Sequence, residues 1–192
     1  MSSWYSEDEI SLMGFASLGK GVLISRKAVL YGTERIAIGD HSRIDDFCVL
    51  SAGEGGIRIG RYVHVAVFCS LIGKGEIVLS DYAGLSSRVT IYSSSDDFSG
   101  KFMTNPTVPA EFTNVRHAPV TLGRHVIVGA AAVILPGAQL GEGAAVGAQA
   151  LVRGVLGPFA IYAGVPARRV GPRATDCLSL EAELMAWEAA NL

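Results

Sequence analysis

LGRHVIVGAAAVILPGAQLGEGAAVGAQALV, residues 122–152, places an aliphatic side chain at every sixth position: Leu122, Val128, Ile134, Leu140, Val146 and Val152. Glycine directly follows four of the six (Gly123, Gly129, Gly141, Gly147), and Val126, Ala132, Ala138, Ala144 and Ala150 stand four places after. A helix repeats every 3.6 residues and a strand every two, so neither has this period. A prism-shaped coil of three short flat strands does, because one aliphatic side chain per strand fills the interior. A sustained hexapeptide repeat is the signature of a β-helix.

The same frame extends backwards as triplets: Leu79, Leu85, Ile91; Ile59, Val65, Leu71; Ile38, Ile44, Leu50; Leu18, Ile24, Leu30. Small or β-branched residues again stand four places on (Val22, Ala28, Ser42, Cys48, Val63, Cys69, Ala83, Val89). The expected fold is all-β, a parallel β-helix of about six coils. Ser6 and Glu9 form a capping box, Ile10, Met13 and Phe15 are apolar, and Gly14 stops the turn, so residues 1–17 read as a helical cap. The β-helix then spans residues 18–175. Residues 176–192 carry Leu180, Leu184 and Trp187 on one face and read as a terminal helix. Both ends of a β-helix expose unpaired strands, so both helices are expected to cap them.

Departures from the six-residue period mark where function is expected. The gap is nine residues from Leu50 to Ile59, eight from Leu71 to Leu79, and thirty-one from Ile91 to Leu122. The last contains an inserted loop, residues 92–121, with Phe98, Phe102 and Phe112. Loops of this length in a compact domain are usually functional, and its aromatics call for a packing partner, here a neighbouring subunit.

Composition narrows the function classes. The 192 residues hold 16 basic and 18 acidic side chains, a balance that argues against a nucleic-acid or anionic-membrane surface. The acidic start, MSSWYSEDEI, is unlike a secretory leader, and no apolar run is long enough to span a bilayer. Cys48 and Cys69 fall in inward slots, Cys177 in the tail, and no CxxC pair exists. A cytoplasmic protein without a structural metal is expected.

The repeats, the single long loop and IYAGVPARRV (residues 161–170) resemble the hexapeptide acyltransferases, in particular the maltose and galactoside acetyltransferase branch. YSEDEI, RIDDFCVLSAG, HVAVFCSLIGKG, SSSDDFSG and NPTVPAEFTNVRHAPV resemble a narrower group, which includes the enzymes acetylating dTDP-4-amino-4,6-dideoxyglucose for surface polysaccharides. The resemblance implies a left-handed helix, a homotrimer, acetyl-CoA as donor substrate in the groove between subunits, and a sugar or nucleotide-sugar acceptor. It places donor contacts on Gly129, Ala130, Ala148, Arg153 and Arg168. A second basic position of the pattern falls on Gly171, with Arg169 or Arg173 as substitutes, since arginine forks suit phosphate oxygens. Independently, Ala130 and Ala148 lie one coil apart on a corner, where small side chains would let an extended arm reach the backbone.

Acyl transfer needs a group to take the acceptor's proton and a donor for the oxyanion. The histidine that does the first job in the galactoside branch falls on Asp96 here, so this chain departs from the pattern. His64, on an outward strand position, is the first candidate base, with Asp96 and His117 next. Ser94 and Asp97 are candidate acceptor contacts, and a sugar amine can also react without a dedicated base. His41 and His125 read as solvated corners. The leading function is acetylation of a nucleotide-linked amino sugar. The alternatives are O-acetylation of a glycoside or polysaccharide, a γ-type carbonic anhydrase, and a non-catalytic scaffold.

Overall fold

The computed structural model describes residues 3–191. Its body is a left-handed parallel β-helix with three flat faces. The first face stacks seven strands, from Ser17–Leu18 to Val155–Leu156. The second stacks seven parallel strands from Leu23–Ile24 to Ala160–Ala163, and Arg168–Pro172 then folds back antiparallel on the last. The third holds six, from Val29–Tyr31 to Leu151–Val152. Six coils are complete, and a partial seventh, absent from the sequence expectation, rests on Leu156 and Tyr162.

The register follows the repeat. Leu18, Ile38, Ile59, Leu79, Leu122, Leu140 and Leu156 stack in one inward column. Ile24, Ile44, Val65, Leu85, Val128, Val146 and Tyr162 form the second. Leu30, Leu50, Leu71, Ile91, Ile134 and Val152 form the third. Apart from Leu18 and Leu30 in the first coil, these side chains are buried. Each contributes about 1.5–3 kcal/mol of hydrophobic stabilisation, so the core is a sum of nearly identical layers.

The corners between faces differ. At the first, between first and second faces, His41, Tyr62, Tyr82 and His125 occupy successive coils with positive φ. Their rings stack at 4.9, 5.5 and 4.9 Å. The second corner carries Phe47, Phe68, Arg88, Ala131 and Gln149, again with positive φ. The third corner collects every departure from the repeat: residues 53–56, residues 73–76 and the long loop are neighbours there. Gly53 N–H donates to Gly73 O at 3.1 Å, and Ala118 N–H donates to Ser93 O at 3.0 Å.

The helix α1 (Glu7–Ser11) has the expected capping box, Ser6 with Glu9, and buries Ile10 over the first coil. The helix α2 (Cys177–Asn191) is present, but it does not close an end. It lies along the first corner, with Glu181 on Arg124 and His125 and Glu188 on Arg61 and Tyr62. His125 is consequently buried rather than a solvated corner.

Candidate active site

The third corner opens into a cleft of about 740 Å³. Its floor is the ends of two strands, Val49–Ala52 and Ser70–Gly73, and its wall is the long loop. Gly73 sits at φ 141°, where a Cβ would meet Ser93 Oγ at 2.3 Å. Only glycine lets the loop leave the coil so close to its neighbour.

Within the loop, Ser94–Ser95 pairs antiparallel with Arg116–His117, putting Ser94 directly opposite His117. Ser94 Oγ accepts from Lys74 N–H at 2.8 Å and lies 2.8 Å from His117 Nδ1. Ser94, Asp96 and His117 therefore share the cleft, with Lys74, Asn105, Thr113 and Asn114 as further polar lining. Asp97, the next residue along the loop, is bonded within it. Its carboxylate accepts from the Ser99 hydroxyl (2.5 Å) and Ser99 N–H (2.8 Å), and more weakly from Asn114 Nδ2 at 3.3 Å. These bonds, the Ser99 hydroxyl foremost, hold its carboxyl below the usual carboxylate range. Asp97 braces the loop from within.

His64 lies elsewhere. It projects from the second face into a shallow groove lined by Ala66, Gly84, Ser86, Ser87 and Ile127. His64 Nε2 is 2.9 Å from Asp45 Oδ2. In the single chain, the three candidate bases thus line two separate openings.

Three of the candidate donor contacts, Gly129, Ala130 and Ala148, lie along the second corner. Gly129 stacks tightly on the coil above, where a Cβ would sit 2.5 Å from Ala148 N. Ala130 and Ala148 are exposed, and Gln149 N–H donates to Ala130 O at 2.8 Å. Ala131 N–H donates to Ser87 O at 3.0 Å, which carries the column down to the groove beside His64. Arg153 is exposed at the third corner, just past the strand Leu151–Val152, and Arg168 and Arg169 lie exposed on the returning strand. Arg173 is committed to the fold: its Nη1 donates to His125 O at 2.8 Å and Gly143 O at 3.0 Å. Its guanidinium ties the tail to the coils, which leaves Arg168 and Arg169 as the available forks.

Sequence reasoning missed Asp45, Ser86 and Lys74. Asp45 was within reach of the repeat, since one coil of about twenty residues separates it from His64. Lys74 contributes a backbone amide, which no residue pattern announces.

No family model matches the sequence. The chain is 51% identical, over 176 residues, to a dTDP-4-amino-4,6-dideoxy-D-glucose acyltransferase of Escherichia coli, covering 91% of this chain and 92% of the relative. It belongs to that acyltransferase family. AntD, an N-acyltransferase from Bacillus cereus solved in complex with dTDP and 3-hydroxybutyryl-CoA, is 42% identical with a TM-score of 0.92, covering 98% of this chain and 100% of that one. A variant of AntD, solved with dTDP-4-amino-4,6-dideoxyglucose and coenzyme A, is 43% identical with the same TM-score, covering 97% and 99%. A hexapeptide-repeat acetyltransferase from Vibrio cholerae, complexed with acetyl coenzyme A, shares the fold at 18% identity and TM-score 0.62, covering 88% and 78%.

Proposed function

We propose that this protein transfers an acyl group, acetyl in the first instance, from a CoA thioester to the amine of a dTDP-linked 4-amino-4,6-dideoxy sugar. The observation that carries the reading is the 51% identity to an acyltransferase of that acceptor class across nine-tenths of both chains. The AntD complexes, which hold dTDP or the dTDP-amino sugar together with a CoA species, support the same pair of substrates.

The geometry supplies a route for the donor. Arg168, paired in the ladder with Ala163, meets the CoA phosphates, with Arg169 next to it on the same strand. The pantetheine arm runs down the small-residue column past Gly147–Ala148 and Gly129–Ala130. Ser86 lies three rungs below Ala163, roughly 14 Å at the usual strand spacing, so the thioester reaches the groove that His64 and Ser86 line. The cleft at the third corner, with Ser94, Asp96, Asn105, Asn114 and His117, holds the nucleotide-linked sugar. Solved variants of AntD replace a serine or an aspartate ten positions apart in that chain. Ser86 and Asp96 have that spacing here, as do Ser87 and Asp97. Acceptor and donor regions are joined when a second copy packs its face against the first. The assembly is a homotrimer, and the exposed Phe98, Phe102 and Phe112 supply apolar surface for it. No helix among the described residues is long and apolar enough to cross a membrane; the proposed location is the cytoplasm.

The test is acetyl-CoA turnover by purified protein, with products identified by mass. The two acceptors are dTDP-4-amino-4,6-dideoxyglucose and a neutral galactoside. Acetylation of the amino sugar alone is the expected result. Transfer to the galactoside alone overturns the N-acyl reading in favour of O-acetylation.

A further inference from the structure

The second face carries a side-chain relay that the sequence did not announce. Arg43, His64 and Gly84 stand in register on three successive coils. Asp45, just past the strand Arg43–Ile44, is only 7% exposed. Its backbone is fixed, with Asp45 N–H donating to Val65 O at 3.0 Å. One carboxylate oxygen accepts from Arg43 Nε at 2.5 Å, and the other is 2.9 Å from His64 Nε2. Arg43 is in turn held over the Trp4 ring, 5.0 Å from its centroid.

The arrangement has a chemical consequence. A carboxylate paired with a guanidinium is an acceptor only, so the bond to His64 requires hydrogen on Nε2. Neutral His64 then keeps its lone pair on Nδ1. The coils above offer no competing charge, since Gly84 and Ser86 on the next coil and Ile127 on the one after it are the groove residues there. The absence of a side chain at Gly84 keeps the groove open, because a Cβ would meet Ile127 Cδ1 at 3.2 Å. Asp45 and Arg43, both from the coil below, are the charged groups that face the imidazole.

We infer that Asp45 is a positioning residue, which fixes His64 in the Nε2–H tautomer so that Nδ1 takes the proton the acceptor amine loses. This rests on the acyl-transfer reading above. The neutral amine nitrogen bonds to the thioester carbonyl carbon, giving a tetrahedral adduct. As the adduct collapses and the C–S bond breaks, the nitrogen's proton passes to Nδ1. The imidazolium then returns it to the departing CoA sulfur, so that amide and free thiol leave and His64 is neutral again. The buried carboxylate stabilises the transient imidazolium, as an orienting acid does for a base in other acyl-transfer sites.

Two measurements decide it. Nitrogen-15 NMR of the wild-type protein reads the His64 tautomer without any substrate, and the Nε2–H form is expected. Rate profiles of kcat/KM against pH then compare wild type with His64→Gln and Asp45→Asn. His64→Gln is expected to lose about 100-fold in kcat/KM, the ordinary worth of a positioned base. Asp45→Asn is expected to lose roughly tenfold or more and to give up the preference for the Nε2–H form in the same nitrogen-15 spectrum. A purely structural role would lower activity while the ring kept the wild-type tautomer. An Nδ1–H tautomer, or His64→Gln within twofold of wild type, overturns the inference. Wild-type protein that transfers no acyl group sinks the functional reading and the proton step with it, while the tautomer still decides whether Asp45 sets the ring.

Discussion

Three consecutive alanines at the second corner illustrate how much a residue's direction matters in this fold. Ala132 is fully buried in a column of small residues, Ala131 turns the corner at φ 59°, and Ala130 faces outward. Leucine at the first and last of these positions separates core from groove. Ala132→Leu overpacks the interior and is expected to cost about 1–3 kcal/mol, seen as a lower Tm. Ala130→Leu projects over the proposed pantetheine path. It should leave Tm nearly unchanged and raise the KM for acetyl-CoA about tenfold or more, with the acceptor KM unaffected. Equal KM values in the Ala130→Leu and wild-type enzymes would remove Ala130 from the donor site. At this scale the sequence was legible wherever the repeat set the direction of a side chain. His125 was not, because its burial comes from Glu181, which arrives from 56 residues away. Asp45 was missed for a related reason. Its partner is a neighbour only after the chain has gone once around the prism.

Secondary elements are held by matched spacings. Glu181 and Glu188 are seven residues apart, two helical turns, and so about 10.5 Å along α2. The groups they bind, at His125 and Tyr62, are two rungs apart, about 9.6 Å. The helix and the aromatic stack therefore keep step, which is why α2 lies along the corner instead of over an end. Its amphipathic pattern announced a helix but not where it would dock, since the contact stripe is polar: Glu181 and Glu188 with Leu184 between them. The N-terminal helix was legible in its capping box and its buried Ile10, which are local, but it ends at Ser11, short of the expected stop at Gly14, and residues 1–2 of the expected cap lie outside the described residues. The carboxyl groups give α2 a pH dependence. Burial alone would push Glu181 up, but hydrogen bonds from His125 and Arg124 outweigh it and hold the carboxyl below its ordinary range. Glu188 is lowered first by the Tyr62 hydroxyl and then by Arg61. Both folded values lie below the unfolded one, so their stabilisation is complete above about pH 4.5, the ordinary glutamate value. It is lost as pH falls through the folded values. Hydrogen exchange should accordingly show the α2 amides losing protection below about pH 4.5 while the coil amides remain protected. Glu181→Gln, which removes the carboxylate that His125 and Arg124 share, should reproduce that loss near neutral pH. Protection of α2 that is unchanged down to pH 3 would mean the carboxylates do not hold the helix.

At the scale of the whole molecule, the coil is a rigid ruler and the third corner is where it has been rewritten. The nine- and eight-residue gaps and the long insertion stack on one another, so the sequence alone could have placed the cleft at a single corner once the coil was recognised. What it could not give is how the cleft meets the donor column, since the candidates Asp96 and His117 line one opening and His64 and Ser86 another. In the proposed homotrimer each site draws on two subunits, and cyclic closure makes every interface equivalent. The prediction concerns mixtures. One is the double variant Ala130→Leu, Ala148→Leu, blocked at two exposed levels of the donor column, and the other is the double variant Asp96→Ala, His117→Ala, disabled in the loop. Each alone is expected to be nearly inactive. In trimers co-assembled from equal amounts, a site that takes its column from one subunit and its loop from the next is intact at about a quarter of interfaces. Mixed trimers should therefore recover about a quarter of wild-type activity, in a species whose mass by light scattering is three times the 20.1 kDa chain. If a single subunit supplies both regions, mixing intact subunits of the two variants recovers nothing, because every column or every loop in a given chain stays defective. A monomer in solution would exclude the shared site altogether and require the two openings to be joined by movement of the loop within one chain.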